Sequence, residues 1–325
     1  EIAPSAMRSF AAILAVAAAA TAAAVNLENP VHQLSMIDMI NTKKVGWTAG
    51  INERFTNAKL KDVVHLMGTF IEGDKVDAAF ARLGEAPAVA GLTLPATFDA
   101  ATAWPQCAAN INHVRDQASC GSCWAFGSTE ALNDRLCIAH NVTVELSAQD
   151  TASCCNLFGG CFGSQGCGGG QPSEAWNYFV KTGVVTGGDY NSGKGCFPYE
   201  IPNCDHHEGG PYPPCTEGGS TPACPNPKAC SNKGYSTPWS QDKHFAKSAY
   251  ALPSVAQIQE DLFKHGSVTA AFSVYEDFLT YKTGVYTHQT GGFLGGHAVK
   301  IQGWGTEGGQ DYWLVENSWN TNWGN

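Results

Sequence analysis

Cys120 and Cys123 stand two residues apart in the run Gln117-Ala-Ser-Cys-Gly-Ser-Cys-Trp-Ala-Phe126. Two thiols at that spacing can form a redox dithiol, half of a zinc site, or one bridged cysteine beside one reactive cysteine. Structural zinc wants four ligands, typically as two close pairs. No second Cys-x-x-Cys exists in the sequence, and the adjacent Cys154-Cys155 and His206-His207 are poor substitutes. A redox dithiol needs a thioredoxin-like βαβ setting, and the flanking strand pattern is missing. It would also leave eleven other cysteines, again an odd number. The third reading uses more of the residues. The thiolate is the reactive form, and a cysteine at a helix N-terminus beside an imidazolium can have its pKa lowered to ~3–4. Cys123 stands where a helix is expected to start. Gln117, six residues earlier, can donate its amide N–H to a developing oxyanion together with a backbone N–H. Thirteen cysteines then divide into six bridges and one free thiol.

The elements that must hold these residues follow from the pattern of the whole chain. Of 325 residues only 15% are charged, while Gly 36 and Cys 13 are plentiful, which suits a loop-rich exported protein. A net charge of −10 argues against nucleic acid as a partner. Residues 7–24 read as a signal peptide: Met7-Arg8 supplies the positive start, Phe10 to Val25 is apolar, and Ala22-Ala23-Ala24 offers small residues for cleavage. That run is too short for a membrane span of ~20 residues, and no second one follows. Residues 25–91 contain no cysteine, whereas all 13 fall between 107 and 230. The shift marks a boundary in Glu85-Ala-Pro-Ala-Val-Ala-Gly91, between a near-neutral N-terminal segment and an acidic domain over 92–325. The segment is patterned for helices through Leu34, Ile37, Met39 and Ile40, then Leu60, Val63, Val64 and Met67. Downstream, Ser122 to Cys137 is expected as a helix. Another runs from the capping pattern at Ser254-Val-Ala-Gln257 to Gly266, with Val255, Ile258 and Leu262 on one face. Ser267–Tyr275, Ala298–Gln302 and Asp311–Glu316 read as strands. Helices first and strands later imply an α+β fold. Cys196 to Lys233 is a long Pro/Gly/Cys-rich stretch of the kind that is usually functional. Gly303-Trp-Gly-Thr-Glu-Gly308 spells a nucleotide motif, but a strand follows it, so it reads as a turn between strands. Asn141-Val-Thr143 is a candidate glycosylation site.

Gln117-x-x-Cys-Gly-Ser-Cys-Trp resembles the active-site signature of papain-like cysteine peptidases. That family also requires a later His and Asn, matched by Gly295-Gly-His-Ala298 and Glu316-Asn-Ser-Trp319. The resemblance implies a two-lobed fold, helical on the Cys123 side and β-rich on the other, with an inhibitory pro-segment at 25–91. Cys123 would be the nucleophile and His297 its proton acceptor. Asn317 would orient the ring, Trp319 would shield that hydrogen bond, and Gln117 would stabilise the oxyanion. Gly169, Gly170, Gly296 and Ala298 would contact substrate. No cofactor or metal is called for. Partners implied are peptide and protein substrates, the chain's own pro-segment and cystatin-like inhibitors, with the enzyme a monomer. It would reside in the secretory pathway, in a lysosome-like acidic compartment or outside the cell.

The spacing narrows the resemblance to the cathepsin B-like group. Cys123 and His297 are 174 residues apart, against ~130–150 in typical papain relatives. The excess falls around Cys204-Asp-His-His-Glu-Gly-Gly-Pro-Tyr-Pro-Pro-Cys215, which resembles that group's occluding loop, about 204–215. Trp104-Pro-Gln-Cys107, Gln241-Asp-Lys-His244, Phe272-Ser-Val-Tyr-x-Asp-Phe278, Trp47-Thr-Ala-Gly50 and Gly68-Thr-Phe70 match as well. The implied activity is that of an endopeptidase that also removes C-terminal dipeptides. His207 would accept the terminal carboxylate of substrate, and His206 would latch the loop to Asp116. The implied bridges are Cys107–Cys137, Cys120–Cys167, Cys154–Cys224, Cys155–Cys161, Cys196–Cys230 and Cys204–Cys215. Tyr212 and Asn322 stand where the group has a second Arg–Asp latch, so a looser loop with more endopeptidase activity is expected. Gly168 and Gln171 replace an Asn and a Tyr beside the substrate wall, so the outer subsites are expected to differ. Similar proteins continue for a few tens of residues beyond the match to Asn325, so the sequence is expected to be incomplete there. Other classes are a catalytically silent papain-fold binding protein, which would lose its nucleophile, and a dithiol oxidoreductase with a Cys120–Cys123 couple.

Overall fold

A computed structural model describes residues 25–71, 73–88, 90–205, 212–215 and 218–325. The apolar run at 7–24 and the pair His206-His207 lie outside these residues. The N-terminal segment folds as α1 (Leu34–Lys43), β1 (Trp47–Ala49), α2 (Leu60–Val63) and α3 (Asp74–Phe80). Its first helix buries Met36 and Ile40, one turn apart, while Leu34 is 69% exposed. Ile37 and Met39 pack against the same cluster, so the expected face holds except that Met36 takes the place of Leu34. Trp47 and Ala49 of β1, with Tyr281 and Tyr286 from downstream, select Met36 and Ile40 as neighbours.

Downstream comes a helical half: α4 (Ala100–Ala103), α5 (Ala108–Ile111), α6 (Cys123–His140), α7 (Ala148–Cys154) and α8 (Pro172–Lys181). Every residue of α6 from Cys123 to Asp134 is buried. A helix packed on all sides has no polar stripe, which is why its periodicity was weak in the sequence. It runs three residues beyond the expected end, because Asn141 adopts a left-handed φ of 54° and its N–H closes on the Cys137 carbonyl at 2.8 Å. Among the described residues, no α-helix or strand intervenes between Lys181 and Val255. Disulfides brace that stretch instead. Cys107–Cys137, Cys120–Cys167, Cys154–Cys224, Cys155–Cys161, Cys196–Cys230 and Cys204–Cys215 are joined, and Cys123 is free.

Helix α9 (Val255–His265) begins with the Ser254 hydroxyl accepting the Gln257 N–H at 3.2 Å and ends at Gly266. Of the expected face, Leu262 is buried and Ile258 packs against the same cluster, whereas Val255 does not. Val255 is 60% exposed, and Glu260, Asp261 and Leu262 are buried. The two acids are tolerated because each is paired. Glu260 accepts the Ala90 and Gly91 N–H groups at 2.8 Å each, and Asp261 pairs with Arg135.

The β-rich half is one antiparallel sheet of β2 (Phe98–Asp99), β3 (Val268–Tyr275), β5 (Phe293–Glu307) and β6 (Gln310–Glu316). Strand β5 is central, pairing with β2, β3 and β6. It is far longer than Ala298–Gln302, because its four interior glycines hid the strand pattern. The turn expected over Gly303–Gly308 is strand as far as Glu307, and Gly308 and Gly309, with φ of 59° and 83°, turn the chain from β5 into β6. The remaining strand, β4 (Tyr281–Gly284), pairs with β1 and ties the N-terminal segment to this half. Among the described residues, no helix is long and apolar enough to cross a membrane.

Candidate active site

Cys123 is the first residue of α6, where the helix dipole favours a thiolate. Its side chain is fully buried. Burial raises the thiol pKa, but the His297 charge and hydrogen bond, the Thr69 hydroxyl and the Ala298 N–H outweigh it, and the net shift is downward. His297 reaches this point from β5, in register with Phe272 of β3. Its Nε2–H donates to Asn317 Oδ1 at 2.7 Å, which leaves Nδ1 for the thiol. Asn317 follows β6 directly, and its Oδ1 also accepts the Ser318 N–H at 2.8 Å. Trp319, fully buried, lies over the imidazole with ring centroids 4.7 Å apart.

Gln117 is buried and clamped. Its Nε2 donates to the Cys120 carbonyl at 2.7 Å and to the Leu66 carbonyl at 3.0 Å. The Ser318 hydroxyl donates to its Oε1 at 2.8 Å. Both amide hydrogens are thus engaged, one of them by the N-terminal segment. Cys120 is bridged to Cys167, so the Cys120–Cys123 couple of a dithiol oxidoreductase is not formed, and Cys120 is not available as a zinc ligand.

The N-terminal segment lies across the thiol. Thr69 Oγ1 is 3.2 Å from Cys123 Sγ, and the Thr69 N–H donates to the Gly296 carbonyl at 3.0 Å. The Gly170 N–H donates to the Gly68 carbonyl at 2.9 Å, and the Gly170 carbonyl accepts the Phe70 N–H at 3.4 Å. This approach depends on glycine. A Cβ on Gly68 would stand 1.9 Å from the Gly121 carbonyl oxygen, and one on Gly170 2.5 Å from the Trp124 ring. Gly169, with φ of 105°, shapes the same wall. On the other side, Phe55 meets the edge of Trp319 at 5.5 Å. Past Phe70 a cavity of about 1080 Å³ opens between the segment and Gln171, Pro172, Trp176 and Ala271.

The acid expected as the loop latch has another partner. Asp116 Oδ1 pairs with Arg54 Nη2 at 2.9 Å and accepts the Ala118 N–H at 2.8 Å, while Oδ2 accepts from Asn320 at 3.3 Å. A second latch between Tyr212 and Asn322 is not formed. The Tyr212 N–H donates to Asp205 at 2.7 Å, and Asn322 Oδ1 is buried without a partner. Asn141 is exposed at the end of α6. Thr69, Ser318, Leu66 and Arg54 were not singled out by sequence. Thr69 and Ser318 sit inside the quoted motifs Gly68-Thr-Phe70 and Glu316-Asn-Ser-Trp319; Leu66 and Arg54 carried no signal.

Two partly buried histidines of the docked segment are held below the ordinary histidine pKa. His32 Nε2 accepts the Asn52 N–H at 3.1 Å, and burial, with Lys282 nearby, lowers its pKa to about 4. His65 lies 2.9 Å from the Ser119 hydroxyl and is lowered by burial, then by Arg54. A histidine whose docked pKa lies below its free value of 6.5 stabilises docking above 6.5. That stability is lost as pH falls toward the docked value. His32→Gln is expected to move the onset of segment release down by about half a pH unit, read by following release across a pH series.

Comparison with known proteins completes the picture. The profile described as "Papain family cysteine protease" matches residues 94–325, and "Peptidase family C1 propeptide" matches 32–73. The chain is 46% identical over 318 residues to "Cathepsin B-like cysteine proteinase 4" of Caenorhabditis elegans, covering 96% of this chain and 91% of that one. It is 45% identical over 298 residues to "Cathepsin B-like cysteine proteinase" of Schistosoma japonicum, covering 89% and 82%. Among solved structures it is similar to procathepsin B S9 from Trypanosoma congolense. There the TM-score is 0.74 and the identity 31%, over 91% of this chain and 90% of that one. The chain belongs to the papain family of cysteine peptidases, in its cathepsin B-like group.

Proposed function

We propose that the protein is an exported zymogen whose processed form cleaves peptides through the Cys123 thiolate, as an endopeptidase that also releases C-terminal dipeptides. One observation carries this reading: the free cysteine, at a helix N-terminus, shares a buried site with a His297–Asn317 pair. The thiolate attacks the peptide carbonyl and forms a C–S bond. Gln117 Nε2–H and the Cys123 N–H receive the oxyanion. His297 gives its proton to the departing amine, then takes one from the water that hydrolyses the thioester. Trp319 keeps water from the His297–Asn317 bond.

Residues 25–91 act as the inhibitory pro-segment. They run from Trp319, on the leaving-group side, past the thiol to Gly170, on the acyl side. A substrate, with its acyl part on Gly170, runs the other way, so the segment presents no carbonyl for attack. Leu66 also holds the amide hydrogen that an oxyanion would need. Dipeptide release is assigned to His207 on the loop closed by Cys204–Cys215, with His206 free to reach Asp116 once Arg54 departs. The neutral Tyr212 and Asn322 leave that loop weakly latched and favour internal cleavage. The bridges and the export signal are consistent with an acidic secretory compartment. Asn141 is a surface position open to glycosylation.

The test uses the full-length protein activated in mild acid, then treated with an epoxide thiol label and mapped by peptide. Labelling of Cys123 alone, with both internal cleavage and dipeptide release, is the expected result. In His207→Ala the ratio of dipeptide release to internal cleavage should fall by about tenfold, the loss of a charge-assisted hydrogen bond. Dipeptide release far above internal cleavage at neutral and acid pH alike would overturn the weak latch.

A further inference from the structure

One helical turn beyond Gln171 stands a buried acid that the mechanism does not use. Glu174, in the first turn of α8, has a side chain only 1% exposed. The cation paired with it among the described residues is Arg82, from the N-terminal segment. The Arg82 guanidinium also lies over the Phe162 ring, 5.3 Å from its centroid, while the Arg82 side chain keeps 32% exposure. Arg82 therefore reaches from solvent to a buried carboxylate, with an aromatic face beside it. Phe162 is 65% exposed, on a loop held between the bridged Cys161 and Cys167. A Cβ on the adjacent Gly163 would stand 3.8 Å from Gln171 Cγ and 3.9 Å from Glu174 Oε1. Gln171 Nε2 donates to the Phe70 carbonyl at 2.6 Å. The acid thus lies one helical turn from a side chain that grips a peptide in the cleft.

A carboxylate this buried is costly unless a cation covers it. Loss of the segment removes Arg82 but leaves the acid, the ring and the space the guanidinium occupied. We propose that in the processed enzyme Glu174 and Phe162 form a cation subsite for a basic side chain of the substrate, on the N-terminal side of the scissile bond. Arg82 is its occupant in the zymogen. This rests on residues 25–91 being a removable pro-segment. Arginine suits the subsite better than lysine, because a planar guanidinium can both fork onto a carboxylate and lie on a ring. If the Arg82–Glu174 pair only anchors the segment, no substrate preference follows.

The test begins with full-length zymogen processed in mild acid, with the mass of the product showing whether Arg82 has left. Active sites are counted with the epoxide label. Matched fluorogenic peptides carry arginine or citrulline at the third or the fourth residue before the scissile bond, since citrulline keeps the shape and drops the charge. The readout is the ratio of kcat/KM for the two peptides. At one of the two positions, arginine should be preferred by about tenfold, the gain from a charge-assisted pair. Glu174→Gln should bring the ratio near unity, and Phe162→Ala should lower it about threefold through the lost cation–π contact. Added salt should shrink it. A wild-type ratio near unity at both positions, a ratio unmoved by both variants, or a mature chain that retains Arg82 overturns the proposal. Should Glu174→Gln not fold, the exposed Phe162→Ala and the salt series decide. The label count and the citrulline rates report peptidase activity itself, so failure of the subsite is distinct from failure of the enzyme.

Discussion

Cys123→Ala is expected to abolish peptide hydrolysis, a fall on the order of 10⁴–10⁶ in kcat with the fold intact. The Cys123 thiol pKa is driven down by the His297 charge and hydrogen bond and by the Ala298 N–H, all from residues that remain once the segment and its Thr69 hydroxyl are gone, working against burial. In the proposed mechanism the imidazole, held by Asn317, moves protons to and from a covalently bound acyl group, so no water held by His297 replaces the thiol efficiently. Gln117→Ala should cost less, ~10²–10³ in kcat, the usual loss for one oxyanion donor. The variant without a thiol cannot process itself, so its segment must be trimmed by wild-type enzyme, which is then inactivated with the epoxide before rates are measured. Turnover surviving in trimmed Cys123→Ala would remove the thiolate from the mechanism.

Lys300→Met is expected to be the most destabilising single change, by ~3–5 kcal/mol, because it strips the cation from a buried acidic cluster. Lys300, fully buried on β5, pairs with Asp134 at 3.0 Å and Glu316 at 3.1 Å, and donates to the Ile111 carbonyl at 2.8 Å. Ser267 adds a hydrogen bond to Asp134 at 2.6 Å. Glu130, on α6 with Asp134, is buried nearby with an unpartnered Oε1. Burial, then Glu316, pushes Glu130 up to about 8; burial and Asp134 push Glu316 up to about 7 against the pull of Lys300. Carboxyls whose folded pKa lies above the unfolded value bind protons more tightly in the fold. Their stabilisation is complete below about 4.5 and is lost as pH rises through 7 to 8. Wild-type protein should therefore melt lower at neutral pH than in mild acid. The Lys300→Met deficit should be largest at neutral pH, about 10 °C in Tm, and smaller in acid, where protons replace the missing cation. An equal deficit at both pH values would show that packing, not charge, holds this site. The cluster joins α6, which starts at Cys123, to β5 and β6, which carry His297 and lead to Asn317. The variant should therefore lose kcat as well as stability.

Much of the site was legible because its chemistry is local in sequence. Gln117-x-x-Cys-Gly-Ser-Cys-Trp, Gly295-Gly-His-Ala298 and Glu316-Asn-Ser-Trp319 each hold their residues within a few positions. The helix start at Cys123 and the Ser254 cap were legible for the same reason, whereas the turn was misplaced over Gly303–Gly308, most of which is strand. The faces of α1 and α9 were legible only in part: Ile37, Met39, Ile40, Ile258 and Leu262 pack inward, but Leu34 and Val255 are exposed and buried Glu260 and Asp261 were missed. Which side of a helix is buried depends on partners elsewhere, such as Trp47 for α1, and Ala90, Gly91 and Arg135 for α9. Buried acids with distant partners defeat an apolar periodicity. The length of β5 was hidden because glycine carries no side chain to alternate.

The sequence by itself determined the α+β class, the odd thiol, the family likeness and the residue types available for catalysis, since these follow from identity, count and near spacing. Only the tertiary structure decided which groups meet. Asp116 faces Arg54, both amide hydrogens of Gln117 are taken, Thr69 caps the thiol, and Glu174 is covered by Arg82. Apart from the local Gln117–Cys120 bond, each of these pairs joins the N-terminal segment to the domain across tens of residues. No local pattern encodes such a distance, because the free energy of the contact belongs to the packed chain.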